Sequence, residues 1–328
     1  MVKSFSRRQA IAVGLGVAGT APAALGQAQF PNRAVSIIVP FPPGGATDLI
    51  ARPYGAALQR HWNQSVVLQN RGGAGGALGM NAGATARPDG YTGVIAHVAY
   101  SSIPAADALF QRPAAFERAS LAPIALLTAD PLIIVVKADA PWRSFQDFAA
   151  DARRRPGEIS YGSSGPYSAI HLPFEMLAQA GGFRLNHVPY SGGGPAMTAV
   201  LGGHIAATAA TAAVAAPQIR SGAMRALVNT GARRVALLPD VPTAIELGLA
   251  EVEFYLWVGI FSQPATPAAE REAWRQSTAA VVKDPEMLRQ LEATGLELDH
   301  RDGKAFQDFL DSDFQRVTAA VNRIGRVE

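Results

Sequence analysis

The chain has 328 residues, of which 48% are hydrophobic and 17% charged, so it is long enough for two ordinary domains and too apolar for global disorder. It contains no cysteine, which excludes disulfides, thiolate metal sites and a cysteine nucleophile. Its 29 basic and 26 acidic residues give a formal charge of +3, but three of the basic residues lie in an N-terminal leader. The rest of the chain is therefore formally neutral and lacks the excess of basic residues that is typical of nucleic-acid-binding proteins.

The first 28 residues are typical of an export signal. Lys3, Arg7 and Arg8 form a basic start, and an apolar run follows at 10–25. This run is too short and too rich in Gly and Ala to span a bilayer comfortably, although an uncut anchor stays an alternative. We expect cleavage after Ala28, by the twin-arginine or the general secretory route. No later apolar run reaches the ~18 residues of a membrane span, so the mature protein is not expected to be embedded in a membrane.

Residues 35–39 are predicted as a buried strand that ends at the motif PFPPGGATD (40–48). An amphipathic helix follows, from Thr47 to about Trp62. The glycines allow a ligand to approach the backbone closely, and Thr47 or Asp48 is a candidate helix cap. Because the first N–H groups of a helix lack intrahelical partners, this turn suits an anion. A connection that binds nothing is the alternative.

The most glycine-dense stretch is NRGGAGGALG (70–79), which follows a short strand at 66–68. It resembles a phosphate cradle, but no Gly-Lys-Ser/Thr follows and the glycine spacing does not fit. We expect the glycines instead to let a helix at 80–86 pack closely on a neighbouring loop.

A strand at 93–97 ends at His97. The segment YSSIP (100–104) is predicted as a loop at its carboxyl end, where open α/β sheets hold their ligand loops. His97 itself is interpreted either as a ligand contact or as a satisfied core group. Two apolar runs, at 124–128 and 132–136, are split by Ala-Asp-Pro, and we interpret this break as a crossing between two domains.

The second half of the chain repeats the layout of the first. Ser144, with Asp147 three residues on, predicts a helix start. A strand at 159–161 then leads through the glycine loop GSSGPYS (162–168) into a helix that ends at glycines 181 and 182. The remaining predicted elements are an extended piece at 186–190, a helix at 196–201, a strand at 225–229, a short helix bracketed by LPDVPT (238–243) and Gly248, a return strand at 254–261, and helices at 268–283, 285–294 and after Lys304.

Alternating strands and helices predict an α/β fold. A chain that leaves one domain near Asp130 and returns near Tyr255 has two hinge-crossing strands, the layout of a two-lobed binding protein with a cleft. We predict one domain from residues 29–129 with 253–328, and the other from residues 130–252.

Five motifs, in order, carry a resemblance to a known family: PFPPGGATD, NRGGAGG (70–76), PDGYT (88–92), HVPY (187–190) and LPDVPT. The whole mature chain resembles the Bug (Bordetella uptake gene) family, the extracytoplasmic solute receptors of tripartite tricarboxylate transporters. The resemblance implies a monomeric periplasmic protein of the type II "Venus flytrap" fold that binds a small organic carboxylate. It also implies a two-subunit membrane permease as partner, which in many members is not encoded nearby. No cofactor, metal site or catalysis is predicted.

The resemblance further implies that one turn from each lobe holds the ligand. Trp257 and Phe41 are expected to form apolar walls. The residues predicted to bind the ligand are Phe41, Gly44, Gly45, Ala46, Thr47, Asp48, His97, Ser101, Ser163, Ser164, Gly165, Ser168, Tyr190, Gly192, Gly193 and Thr208.

The sequence departs from the family pattern at GHIA (203–206), where many members have Asp in place of Ala206. If that Asp binds an ammonium group, this protein should not prefer an amino acid. The departure therefore predicts a carboxylate without an amine.

Two other functions stay open. An exported hydrolase would use Ser164 or Ser168 with a histidine, although GSSG is not the Gly-x-Ser-x-Gly elbow. A solute sensor would present the same closed form to a membrane signalling partner, so the sequence does not separate it from a transport receptor.

Overall fold

The computed structural model describes residues 30–327, and the predicted leader lies outside them. The strands of this part of the chain are β1 (Val35–Val39), β2 (Val66–Asn70), β3 (Thr92–His97), β4 (Ala122–Lys137), β5 (Ser160–Ser163), β6 (Asn186–Pro189), β7 (Ala207–Thr211), β8 (Met224–Asn229), β9 (Tyr255–Ser262) and β10 (Arg301–Asp302). Its helices are α1 (Ala46–Trp62), α2 (Ala77–Ala84), α3 (Ala99–Leu109), α4 (Phe145–Arg154), α5 (His171–Gly181), α6 (Gly193–Leu201), α7 (Ala212–Arg220), α8 (Ala268–Val281), α9 (Pro285–Thr294) and α10 (Gly303–Ile324). Within these residues, no helix is both long and apolar enough to cross a membrane.

Two mixed sheets share the long strand β4. The first sheet has the order β2-β1-β3-β9-β4, with β10 added to β4. The second has the order β4-β7-β5-β6, and β8 also pairs with β4. We call the units built on these sheets the first and second lobes. The α/β fold with two lobes is thus confirmed.

The chain crosses between the lobes twice, as predicted. The first crossing is β4 itself, whose residues before Leu132 pair with β9 and whose residues from Leu132 onward pair with β7 and β8. It is one continuous strand rather than two runs with a break. Thr230 ties it to the returning chain, since Oγ1 accepts from the N–H of Leu132 at 2.9 Å and donates to the C=O of Phe254 at 2.7 Å.

The first strand and helix form as the pattern predicts. Val35, Ile37 and Val39 of β1 are fully buried, and burial of each such side chain contributes about 1.5–3 kcal/mol to folding. Tyr54 of α1 is also buried, and its hydroxyl lies 2.7 Å from Thr278 Oγ1 on α8. This packing fixes the helix whose N-terminus faces the cleft.

Two predicted elements are wrong. Residues 100–104 belong to helix α3 rather than a loop, because Ser101 hydrogen-bonds inside the α3–α10 packing and so does not need solvent. The short helix between Thr243 and Gly248 is a series of turns. Thr243 and Glu246 do make the reciprocal bonds of a helix start, but Gly248 adopts φ +82° one turn later and ends it.

Candidate functional site

A small cavity of about 40 Å³ lies between the lobes, where strands of both sheets end. Leu132 of β4 and Leu256 of β9 form part of its wall. Among the described residues that line it, none carries a charge. The lining consists of Phe41, Pro42, Gly45, Ala46, Thr47, His97, Leu132, Ser164, Ala169, Ile170, Gly193, Ala209, Ala210, Thr211, Val214 and Leu256.

Hydrogen bonds to the side chain of Asp48 stabilise the turn at residues 40–48. The buried carboxylate accepts from the N–H of Gly44 at 3.0 Å, from Arg52 Nε at 2.8 Å and from Asn70 Nδ2 at 3.3 Å. Gly45, not Thr47 or Asp48, is the N-cap of α1, so the predicted side-chain cap is wrong. Asp48 braces the turn, while the neighbouring Thr47 lines the cavity.

His97 is a buried group with a hydrogen-bond partner, as the second interpretation predicts, and it also lines the cavity. Its contact with a ligand stays a prediction. Its ring stacks on Phe41 with centroids 4.2 Å apart. Nδ1 accepts from the N–H of Ala99 at 3.0 Å. Burial lowers the pKa of His97 to about 3, so the ring is neutral at pH 7 and Nε2 carries its donor proton.

In the loop at residues 163–168, as in the first turn, some polar side chains stabilise the backbone and another lines the cavity. Ser163 Oγ donates to the C=O of Gly165 at 2.9 Å, accepts the N–H of Gly165 at 3.0 Å and lies 2.6 Å from His187 Nε2. Ser168 Oγ accepts the N–H of His171 at 3.3 Å. Both serines therefore brace the loop, and Ser164 is the one that lines the cavity.

Helix N-termini converge on this cavity. Residues in the first turn of α1, α6 and α7 line it, as does Ile170 immediately before α5. These ends carry N–H groups without intrahelical partners and a partial positive charge. Such helix ends can hold an anion without any lysine or arginine.

Glycines bring the two lobes into contact at the cavity rim. A methyl group added at Gly192 would lie 2.8 Å from Pro42 Cδ, and one at Gly165 would lie 3.4 Å from the backbone N of Gly75. Within the first lobe, a methyl at Gly79 would lie 2.5 Å from Pro40 Cα. The close packing predicted for the glycine-dense stretch is thereby confirmed.

Comparison with known proteins was decisive for the family. The model of the tripartite tricarboxylate transporter family receptor matches residues 50–326. Protein BugT of Bordetella pertussis is 36% identical over 239 residues, which is 72% of each chain. The chain belongs to the tripartite tricarboxylate transporter receptor family.

Solved structures of similar proteins share the receptor's fold. The periplasmic binding protein BugD has a TM-score of 0.84 and 29% identity, with 90% of this chain and 99% of that chain covered. MatC from Rhodopseudomonas palustris, solved with malate, has a TM-score of 0.82 and 26% identity over 89% of this chain and 99% of its own. An R. palustris protein solved with adipate has a TM-score of 0.84 and 27% identity, covering 90% and 98% of the two chains.

Several residues predicted to bind ligand lie elsewhere in the receptor. Ser101 Oγ donates to Asp313 at 2.6 Å, and Thr208 Oγ1 donates to the C=O of Gly162 at 3.0 Å. Gly44 and Tyr190 line a second, more open groove of about 840 Å³, which residues of both lobes also form. Gly165 and Gly192 belong to the rim contacts, and Asp48, Ser163 and Ser168 are braces.

The apolar wall also differs from the prediction. Trp257 is fully buried and packs against Tyr100, Phe261 and Phe306, whereas the preceding residue Leu256 reaches the cavity. Successive strand residues point to opposite faces, so a shift of one position reverses the assignment.

Sequence reasoning missed two polar residues of the receptor. His187 stands in the motif HVPY, which gives no sign of its bond to Ser163, 24 positions earlier in the chain. Thr211 lies in an Ala/Thr run with little contrast, although a Thr before an Ala-rich segment is a helix-start signal. Ala206 does not line the cavity, although the expectation of an amine-free ligand was based on that position.

Proposed function

We propose that the receptor captures a small carboxylate in the cavity between its lobes and delivers it to a two-subunit membrane permease. The observation that carries this proposal is the convergence of helix N-termini from both lobes on one uncharged cavity. Solved relatives of the same fold hold malate and adipate. Thr47 and Ser164 supply a hydroxyl from each lobe, and the backbone N–H groups supply further donors.

Binding proceeds by hinge closure in this proposal. The lobes comprise residues 29–129 with 253–328 and residues 130–252, joined by the crossing strands. The open form exposes both turns, and the ligand shifts the population because it contacts both lobes in the closed form alone. Residues 325 and 326 contact both lobes, since Tyr167 Oη donates to the C=O of Gly325 at 2.8 Å and Arg326 Nη2 donates to the C=O of Leu109 at 3.0 Å.

The ligand carries no ammonium group. A buried ammonium needs a carboxylate partner, and no acidic side chain lines the cavity among the described residues. Asp48, the acidic residue of the ligand turn, is committed to Gly44, Arg52 and Asn70.

The pair formed by Ser163 and His187 does not have the arrangement of a hydrolase. Ser163 is fully buried, does not line the cavity, and bonds to both backbone groups of Gly165 as well as to His187, so it is not placed to attack a bound ligand. Ser164 and Ser168 have no histidine side-chain partner among the described residues. In this proposal the receptor acts by binding, as a monomer that is exported to the periplasm and cleaved after Ala28.

A thermal-shift screen against mono-, di- and tricarboxylates tests the function, with calorimetry on each acid that raises the melting temperature. We expect at least one amine-free carboxylate to bind, and aspartate and glutamate to bind much more weakly. Tight binding of either amino acid would contradict the ligand class. Turnover of a generic ester, lost in a Ser164→Ala variant, would instead establish the hydrolase.

A further inference from the structure

Thr211 occupies a special position in the second lobe. It is the last residue of β7 and the N-cap of α7, a helix of nine residues. An N-cap threonine normally accepts a hydrogen bond from an N–H in the first turn, but Thr211 makes no such bond. Its hydroxyl and the first N–H groups of α7 are thus available at the same helix end.

The hydroxyl of Thr211 is also buried without a partner. The residue is 1% exposed, and Oγ1 has no hydrogen-bond partner among the described residues. Thr208, three residues earlier, and Thr230 both bond to backbone carbonyls. A buried unpartnered hydroxyl destabilises a folded protein, so its presence in the lining of a cavity points to a ligand atom.

We infer that Thr211 is a ligand-binding residue that, with the N-terminus of α7, receives a second oxygen function of the ligand. This inference rests on the proposed carboxylate function. The carboxylate binds at the α1 turn, beside Thr47, and the second oxygen is a hydroxyl, an oxo group or another carboxylate. The side chains of Leu132, Ile170 and Leu256 contact the carbon chain between them.

The N-terminus of α7 suits such an oxygen. Its partial positive charge favours a carboxylate or a polarised C=O. A threonine hydroxyl both donates and accepts, so it also pairs with a ligand hydroxyl. A purely aliphatic monocarboxylate would leave Thr211 unpartnered and would therefore bind less tightly.

The test replaces Thr211 with Val, which exchanges the hydroxyl for a methyl group of similar size. Thr208→Val is the matched control on the same strand, because its hydroxyl is bonded to Gly162 rather than lining the cavity. Thr211→Ser restores the hydroxyl. The probes are succinate, malate and adipate, compared with butyrate and hexanoate, and calorimetry measures each dissociation constant.

We expect Thr211→Val to weaken binding of the two-oxygen-function acids at least tenfold, with butyrate and hexanoate changed less than threefold. Thr211→Ser should stay within about threefold of the wild type for every probe. Without ligand, Thr211→Val should melt at or above the wild-type temperature because it buries no unpartnered hydroxyl. Thr208→Val should melt lower, with unchanged affinities, because the Gly162 carbonyl loses its donor.

Equal affinities of the wild type and Thr211→Val for all five probes would overturn the inference while leaving the carboxylate function intact. Loss of monocarboxylate binding to the same extent would overturn it as well, since Thr211 would then act on the cavity as a whole. If the wild type binds no acid of the wider thermal-shift panel either, the proposed function fails and the inference fails with it. If it binds other acids of that panel, the same affinity ratios are measured on a pair with and without the second oxygen function.

Discussion

The turn at residues 40–48 and the loop at residues 163–168 face each other across the cavity, one from each lobe. In both, adjacent polar residues have opposite roles. Asp48 and Ser163 bond to the backbone of their own segment, whereas Thr47 and Ser164 line the cavity. The braces are what allow side-chain-poor segments to present hydroxyls and N–H groups in fixed positions.

The two braces differ in chemistry. Asp48 is an anion whose partners include the charged Arg52, which is more than half exposed. Ser163 is a neutral group whose partners are Gly165 and the half-buried His187. A charged brace gives stronger hydrogen bonds than a neutral one. We therefore expect the first turn to depend more heavily on its brace than the second loop does.

The largest effect should come from Asp48→Ala. Loss of the bonds from Gly44, Arg52 and Asn70 should lower the free energy of unfolding by about 2–3 kcal/mol, the scale of bonds to a buried charged group. Denaturant unfolding measures this change. Asp139→Ala is the control, because its ion pair with Lys137 is exposed and should contribute less than about 1 kcal/mol. Equal changes in the two variants would contradict the role of Asp48.

The next largest effect should come from Gly192→Ala, which hinders the closure of the two lobes. Gly192 has an extended backbone, so alanine introduces no strain there, but its methyl would lie 2.8 Å from Pro42 Cδ across the cleft. We expect Gly192→Ala to weaken carboxylate binding about tenfold, or ~1.4 kcal/mol, without changing the melting temperature of the free protein. At Gly194 the contact is looser, 3.3 Å to the C=O of Pro43, so Gly194→Ala should have a smaller effect. The reverse ranking in calorimetry would show that the rim does not limit closure.

The adjacent residues Ser163 and Ser164 allow the loop-stabilising and cavity-lining roles to be tested separately. Ser164→Ala and Thr47→Ala should each weaken ligand binding by about 1 kcal/mol or more, the scale of one hydrogen bond to a charged group. Ser163→Ala should instead lower the melting temperature of the free protein, because His187 and Gly165 lose their hydrogen-bond partner. If Thr47→Ala and Ser164→Ala leave the affinity unchanged, the ligand does not lie where we place it.

The smallest effect should appear in the pH dependence of stability. Burial lowers the pKa of His187 to about 4 from an ordinary 6.5, so the unfolded state binds more protons between these values. The free energy of unfolding should therefore decrease as the pH falls from 6.5 towards 4. In His187→Gln this slope should be shallower, by well under the ~1.4 kcal/mol per pH unit of one full proton because the ring is half-exposed. Parallel slopes in denaturant titrations would exclude His187 as a contributor.

The sequence by itself determined the local elements and the family. The apolar strand at 35–39, the Ser144–Asp147 capping box and the Pro285–Thr294 helix each depend on near neighbours, and all three have the predicted positions. The interruption near Asp130 also predicted a crossing between lobes there, although β4 continues through that position without a break.

The tertiary structure decided which polar side chains face the ligand. Thr208 and Thr211 have the same chemistry three residues apart, but the carbonyl that takes the Thr208 hydroxyl belongs to Gly162, 46 positions away. Ser101 likewise finds Asp313 at a distance of 212 residues. Whether a hydroxyl is bonded internally or left for a ligand depends on strand register and on the packing of distant segments, and a local sequence pattern carries neither.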